Sequence, residues 1–191
     1  MQAFGVNLHF EPINNKDSIQ KELLDKLDEV DFSMKEGWGE THYLSDPTFK
    51  ENFLIERECK LFNQELENHL RSYVNECGIR VSGYQIMSSW LTCMRKGNYA
   101  HIHDHGDCHV SGVYYIKRQP NDGDIFFTSP NPCASSNPLT SLSARMIAKE
   151  VPEGVIMLWP GFLPHGVETC NNTEDRISLS FNINIQSFSK Q

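Results

Sequence analysis

No apolar stretch in this chain approaches the eighteen or so residues of a membrane span, and the opening Met1-Gln2-Ala3-Phe4-Gly5-Val6-Asn7-Leu8-His9 has neither a basic n-region nor an apolar h-region. The expected location is therefore the cytoplasm. Basic residues are scarce: 17 Lys and Arg against 25 Asp and Glu leave a formal charge of −8. That argues against phosphate-neutralising binding of nucleic acid. Cys-x-x-Cys is absent too, so the six cysteines at 59, 77, 93, 108, 133 and 170 read as reduced and mostly buried. Zinc held through thiolates is disfavoured, with Cys108 a minor alternative because it adjoins a histidine-rich segment. There is no internal repeat.

Over its 191 residues the chain is most simply one domain, with an N-terminal strand and supporting helices over 1–78 and a β-rich core over 79–188. Phe4, Val6, Leu8 and Phe10 alternate as in a strand. From about Lys16 to Val30, Ile19, Leu23, Leu24, Leu27 and Val30 recur at helical spacing. A loop is predicted from Lys35 to Asp46. Ser45-Asp46-Pro47 reads as the start of a second helix that runs to Asn75 and stops at Gly78. After Gly78 the period changes to two. Strands are predicted over 84–95, 101–117, 124–128, 145–151, 154–159, 165–169 and 176–185. The Pro- and Ser-rich run 129–141 is a surface loop. Helices followed by short strands describe an α+β, mainly β fold, with the helices packed on one face of a sandwich or barrel.

Chemistry concentrates at a few strand ends. Strand period puts residues 101, 103, 105, 107 and 109 on one face, and these are His, His, His, Asp and His. Burying such a row for structural reasons alone would be costly, which favours a metal site. His105 and Asp107, spaced as His-x-Asp, with His165 as the distal partner, form the ligand set of the facial triad that holds iron(II) and leaves positions open. The register stays open by two residues, because His103 could replace one of them in a His-x-His arrangement. His101 and His109 are candidates for substrate contact, for orienting the ligands, or for the surface. Trp90 is a pocket wall or core.

The ordered set His105-Gly106-Asp107, Ser111-Gly112-Val113-Tyr114-Tyr115, Gly123-Asp124-Ile125-Phe126-Phe127, Trp159-Pro160-Gly161-Phe162-Leu163-Pro164-His165 and Arg176-Ile177-Ser178-Leu179-Ser180-Phe181-Asn182 resembles the iron(II)/2-oxoglutarate-dependent dioxygenases. It is most similar to those of bacteria and phages near the prolyl-hydroxylase branch. The similarity covers residues 84 to 185. It implies a double-stranded β-helix, or jelly roll, with Fe(2+) held by His105, Asp107 and His165, and with 2-oxoglutarate and O2 as co-substrates. It further implies that Arg176 binds the far carboxylate of 2-oxoglutarate, helped by Ser178 and Tyr115. A guanidinium fork suits that task. The implied activity is hydroxylation of a peptide, amino-acid or small-molecule substrate with release of succinate and CO2. Two other readings stay open: a cupin-like metal-binding barrel, and a non-catalytic jelly-roll module of a phage structural protein. A homodimer is compatible with the sequence, and nothing in it supports one.

Overall fold

The computed structural model describes residues 5–35, 41–48 and 50–190. In chain order the elements are β1 (His9–Pro12), α1 (Lys16–Leu24), β2 (Ser33–Met34), β3 (Tyr43–Leu44), α2 (Phe53–Glu56), α3 (Lys60–Glu76), β4 (Ile79–Met94), β5 (Ala100–His103), β6 (Val110–Lys117), β7 (Ile125–Thr128), β8 (Arg145–Ala148), β9 (Val155–Pro160), β10 (His165–Val167) and β11 (Arg176–Lys190). Seven strands form one sheet in the order β1-β9-β6-β11-β4-β3-β2, and four form a second in the order β5-β10-β7-β8. Strand neighbours within both sheets are antiparallel. The two sheets face each other as a jelly roll, with the helices on the outer face of the larger one.

Period-two alternation sorts each central strand between two cores. Tyr114 and Ile116 of β6, Ile156 and Leu158 of β9, and Leu179, Phe181 and Ile183 of β11 pack with Leu23, Phe53, Phe62, Leu66 and Leu70 of the helices. Val113, Tyr115, Met157 and Trp159 turn the other way and meet Ile125 and Phe127 of the smaller sheet. Each fully buried Leu or Phe of the helical layer contributes about 1.5–3 kcal/mol relative to exposure. On β11 the residues alternating with the apolar set are Arg176, Ser178, Ser180 and Asn182, so a polar row faces the space between the sheets.

Close approach requires a glycine at 112, where an added Cβ would run into the Phe181 ring and Leu158. Gly112→Ala is expected to cost about 1–3 kcal/mol by overpacking, measured as a lower denaturation midpoint in urea. An unchanged midpoint would mean that the helical layer yields at this point.

The helical expectations need adjustment. The first helix ends at Leu24 and continues only as a 3-10 turn at Leu27–Glu29. Ser45-Asp46-Pro47 does not start a helix: the Asp46 carboxylate accepts from the backbone N–H groups of Thr48, Lys50 and Glu51 and closes a turn. Glu58, at φ 51°, then separates α2 from α3. Gly78 ends α3 as expected, at φ 79°. β2 and β3 fall within or beside the predicted loop, and Phe4 lies outside the described residues. The largest correction is at 101–117. This segment is two strands joined by a turn over 104–109, so the common face assumed for residues 101 to 109 ends at His103.

Candidate metal and co-substrate site

A cavity of about 90 Å3 opens between the sheets. His103, His105, His165, Trp90, Tyr115 and Arg176 are among the residues lining it. His103 is the last residue of β5 and pairs across the sheet with His165, the first residue of β10. His105 lies two residues beyond β5, in the turn. That turn is fixed by the hydrogen bonds His105 N–H to Gly161 O (2.8 Å) and Cys108 N–H to His105 O (3.0 Å). A Cβ at Gly161 would collide with the His105 and Cys108 carbonyls, so the two turns touch backbone to backbone.

The three imidazoles converge. One ligand-capable atom from each of His103, His105 and His165 lies within 4.8 Å of the others. His165 Nδ1 sits 3.0 Å from the Leu163 carbonyl and His103 Nδ1 2.7 Å from the His101 carbonyl. A carbonyl can only accept, so both Nδ1 atoms carry the proton and Nε2 is the nitrogen that each ring can offer to a metal. Trp159 packs edge-on against His165 at 4.8 Å, and Trp90 stacks on His105 at 5.8 Å, holding the rings in place. Desolvation by burial, reinforced by His103, pushes His165 down to about 3 and His105 down to about 4. Both stay neutral, the form a metal needs.

Asp107 is not part of this group. It is exposed in the turn, and the ring that lies within reach of His105 and His165 is that of His103. The reason is local. The Asp104 side chain accepts from Gly106 N–H at 3.1 Å, the chain turns, and the period that would have aligned 105 with 107 is lost. Three neutral imidazoles suit iron as ligands, but they leave the full charge of a divalent ion uncompensated. The remaining histidines have other tasks. The His101 carbonyl orients His103, while its ring packs on Tyr99 at 4.9 Å. His109 is exposed, and its Nδ1 accepts from Ile185 N–H at 2.9 Å. The Cys108 thiol points to Ser111 Oγ (3.2 Å) and not to the cluster.

The opposite end of the cavity is built around Arg176, which is only 2% exposed. Its Nη1 meets the Met94 sulfur at 3.3 Å, and its guanidinium lies over the Tyr115 ring at 4.9 Å. Arg176 Nε and Tyr115 Oη are both buried without a hydrogen-bond partner, as is Trp159 Nε1. Orphaned buried donors are costly, and donors aimed into a cavity mark the place of a polar ligand. A carboxylate fits. Ser178, buried on the same face two residues on, also lines the cavity. One cavity residue the sequence gave no reason to single out is His42, in the segment just before β3. Burial lowers it to about 4.

Together His42, His105 and His165 make the metal-free protein sensitive to acid. Unfolded histidines take up protons near 6.5, whereas these three stay neutral down to about 4 or below. Between those limits the unfolded chain binds more protons, so stability falls as pH drops from about 6.5 toward 4. Melting curves of metal-free protein at pH 7.5 and pH 5 should show a lower Tm at pH 5. Equal values would contradict the burial of these rings.

Among known proteins, the family described as "Putative 2OG-Fe(II) oxygenase" matches residues 88–182, the stretch that carries the cavity-facing strands. The chain belongs to the iron(II)- and 2-oxoglutarate-dependent oxygenases and is an enzyme of that class. No curated protein matches it. Solved structures share the fold at low identity. HygX from Streptomyces hygroscopicus, with nickel and 2-oxoglutarate bound, superposes with a TM-score of 0.67 at 12% identity, covering 95% of this chain and 84% of that one. The epimerase SnoN from nogalamycin biosynthesis gives 0.68 at 11% identity, covering 96% and 81%. A Pseudomonas putida prolyl-4-hydroxylase gives 0.61 at 13% identity, covering 95% and 94%. Among the described residues no helix is long and apolar enough to cross a membrane.

Proposed function

We propose that His103, His105 and His165 hold iron(II), that Arg176 and Tyr115 hold the far carboxylate of 2-oxoglutarate, and that the enzyme hydroxylates a small molecule or an amino-acid side chain of a peptide. The observation that carries this reading is the presence, in one cavity, of three convergent imidazoles and a buried guanidinium whose Nε has no hydrogen-bond partner. Iron(II) bound there supplies dioxygen activation, and 2-oxoglutarate supplies the reducing electrons, so that substrate, 2-oxoglutarate and O2 become hydroxylated product, succinate and CO2.

The chain's own residues supply binding, orientation and shelter. The carbonyls of His101 and Leu163 fix the tautomers of His103 and His165 before any metal arrives. Arg176 offers a charge-assisted contact to a carboxylate in a cavity lined in part by Met94, Tyr115 and Trp159, where such a contact is stronger than in bulk water. Trp90 and Trp159 flank the imidazoles and limit solvent access. The dianionic co-substrate also offsets the charge that three neutral ligands leave on a divalent ion. The His-x-His spacing is the one expected of a cupin, but a cupin gives buried Arg176 no task.

The test is iron-dependent conversion of 2-oxoglutarate to succinate under air by purified protein. Slow succinate formation without substrate, abolished by chelator and accelerated by a substrate from a panel of small molecules and peptides, is the expected result. No succinate from protein shown to hold iron would overturn the proposal.

A further inference from the structure

Arg176 shares its buried surroundings with a second guanidinium and a carboxylate. Asp122 is 0% exposed, and its Oδ1 lies 3.9 Å from Arg176 Nε. Among the described residues it is the one carboxylate in ion-pair range of Arg176. That distance is too long for a hydrogen bond. Asp122 is bonded instead to Arg118, whose Nε and Nη2 donate to Asp122 Oδ1 at 3.0 and 2.5 Å. Gln119 N–H takes Oδ2 at 2.9 Å. Arg118 is itself anchored by the Val151 carbonyl (2.8 Å), the Gly123 carbonyl (3.1 Å) and Asp124 (3.1 Å). Both guanidiniums lie over the Tyr115 ring, at 4.8 Å from its centre for Arg118 and 4.9 Å for Arg176.

A buried arginine attracts any nearby carboxylate strongly, because little solvent screens the pair. Asp122 is near enough to close on Arg176 by a small side-chain movement, and doing so would occupy the Nε that a ligand carboxylate needs. We infer that Arg118 is a positioning residue that retains Asp122 and thereby keeps Arg176 open for the carboxylate of 2-oxoglutarate. This rests on the assignment of Arg176 to that carboxylate. Asp122 is thus an internal competitor held in check, and the pair Arg118–Asp122 sets co-substrate affinity without touching the co-substrate.

The inference makes the two partners act in opposite directions. Anaerobic calorimetry of 2-oxoglutarate binding to the manganese-loaded protein reads it directly. Arg118→Met frees Asp122 and should weaken binding about tenfold or more, a difference well above the error of the method. Asp122→Asn removes the competitor and should bind 2-oxoglutarate at least as tightly as the natural protein. The double variant Arg118→Met/Asp122→Asn should return to within about threefold of Asp122→Asn, a non-additivity that marks direct coupling. If Arg118→Met does not fold, Arg118→Gln carries the same expectation. Should both single variants weaken binding and the double variant sum their losses, the two residues merely support the fold and the inference is overturned. Arg176→Met is the control. If it leaves 2-oxoglutarate binding intact, the assignment of Arg176 fails; if it abolishes binding while the Arg118 and Asp122 variants do not differ, only the present inference fails.

Discussion

Replacing His103 with alanine is expected to abolish stable iron binding, weakening it by at least about 100-fold, because the proposed set of three ligands then loses one of its members and not an outer partner. Asp107→Asn should leave iron affinity within about threefold of the natural protein, since Asp107 is exposed in the 104–109 turn and outside the imidazole group. The contrast discriminates between two ligand sets that differ by a two-residue register. A conventional two-histidine, one-carboxylate site requires the opposite pattern, with Asp107→Asn the damaging change. Calorimetric titration of metal-free protein with manganese or iron(II), alongside succinate formation, measures both variants. His165→Ala should resemble His103→Ala in either case and serves as the positive control.

Arg176→Met should raise the KM for 2-oxoglutarate by about 100-fold, equivalent to about 2.7 kcal/mol, the scale of a charge-assisted contact in a buried site. Its kcat at saturating 2-oxoglutarate should change only a few-fold, because the role proposed for the residue is at the far carboxylate and not at the reacting end. Arg176→Lys keeps the charge and loses the planar fork, so an intermediate loss of about tenfold is expected. A large fall in kcat with unchanged KM would place Arg176 in the chemistry and contradict its assignment to binding. Its burial means that methionine, similar in length and uncharged, is a gentler test than alanine, which would leave a cavity beside Met94.

The sandwich strands were readable because both of their faces are buried and period-two segments of β-branched and aromatic residues have no other comfortable arrangement. Val155–Pro160 and residues 176–183 of β11 are examples, and the polar row Arg176, Ser178, Ser180 and Asn182 alternating with Ile177, Leu179, Phe181 and Ile183 marks the cavity face of β11. Arg176 and His165 were legible for the same reason: each opens a strand whose extent the pattern fixes. The end of β5 at His103 was not. A run of histidines and aspartates at alternate positions carries no apolar signal to show where the strand ends, and the turn at Asp104-His105-Gly106 is closed by a side-chain contact to the backbone. The turn-forming composition of Asp104, Gly106 and Asp107 was the available clue. β2 and β3, two residues each, are too short for any period, and they are positioned by pairing with each other and with the long β4. His42 reaches the cavity because that pairing carries it there. Asp122 and Arg118 belong to a turn whose charged residues look solvated in sequence and are buried in the fold.

The central claim is that three histidines and one arginine hold iron(II) and 2-oxoglutarate in a single cavity. Anaerobic addition of iron(II) and then of 2-oxoglutarate, followed by visible absorption, tests it most directly. The account expects a weak band near roughly 500 nm, as a keto acid chelating a ferrous centre gives, saturating at one equivalent of iron. It should persist in Asp107→Asn and vanish in His103→Ala. A band lost in Asp107→Asn and retained in His103→Ala would contradict the account.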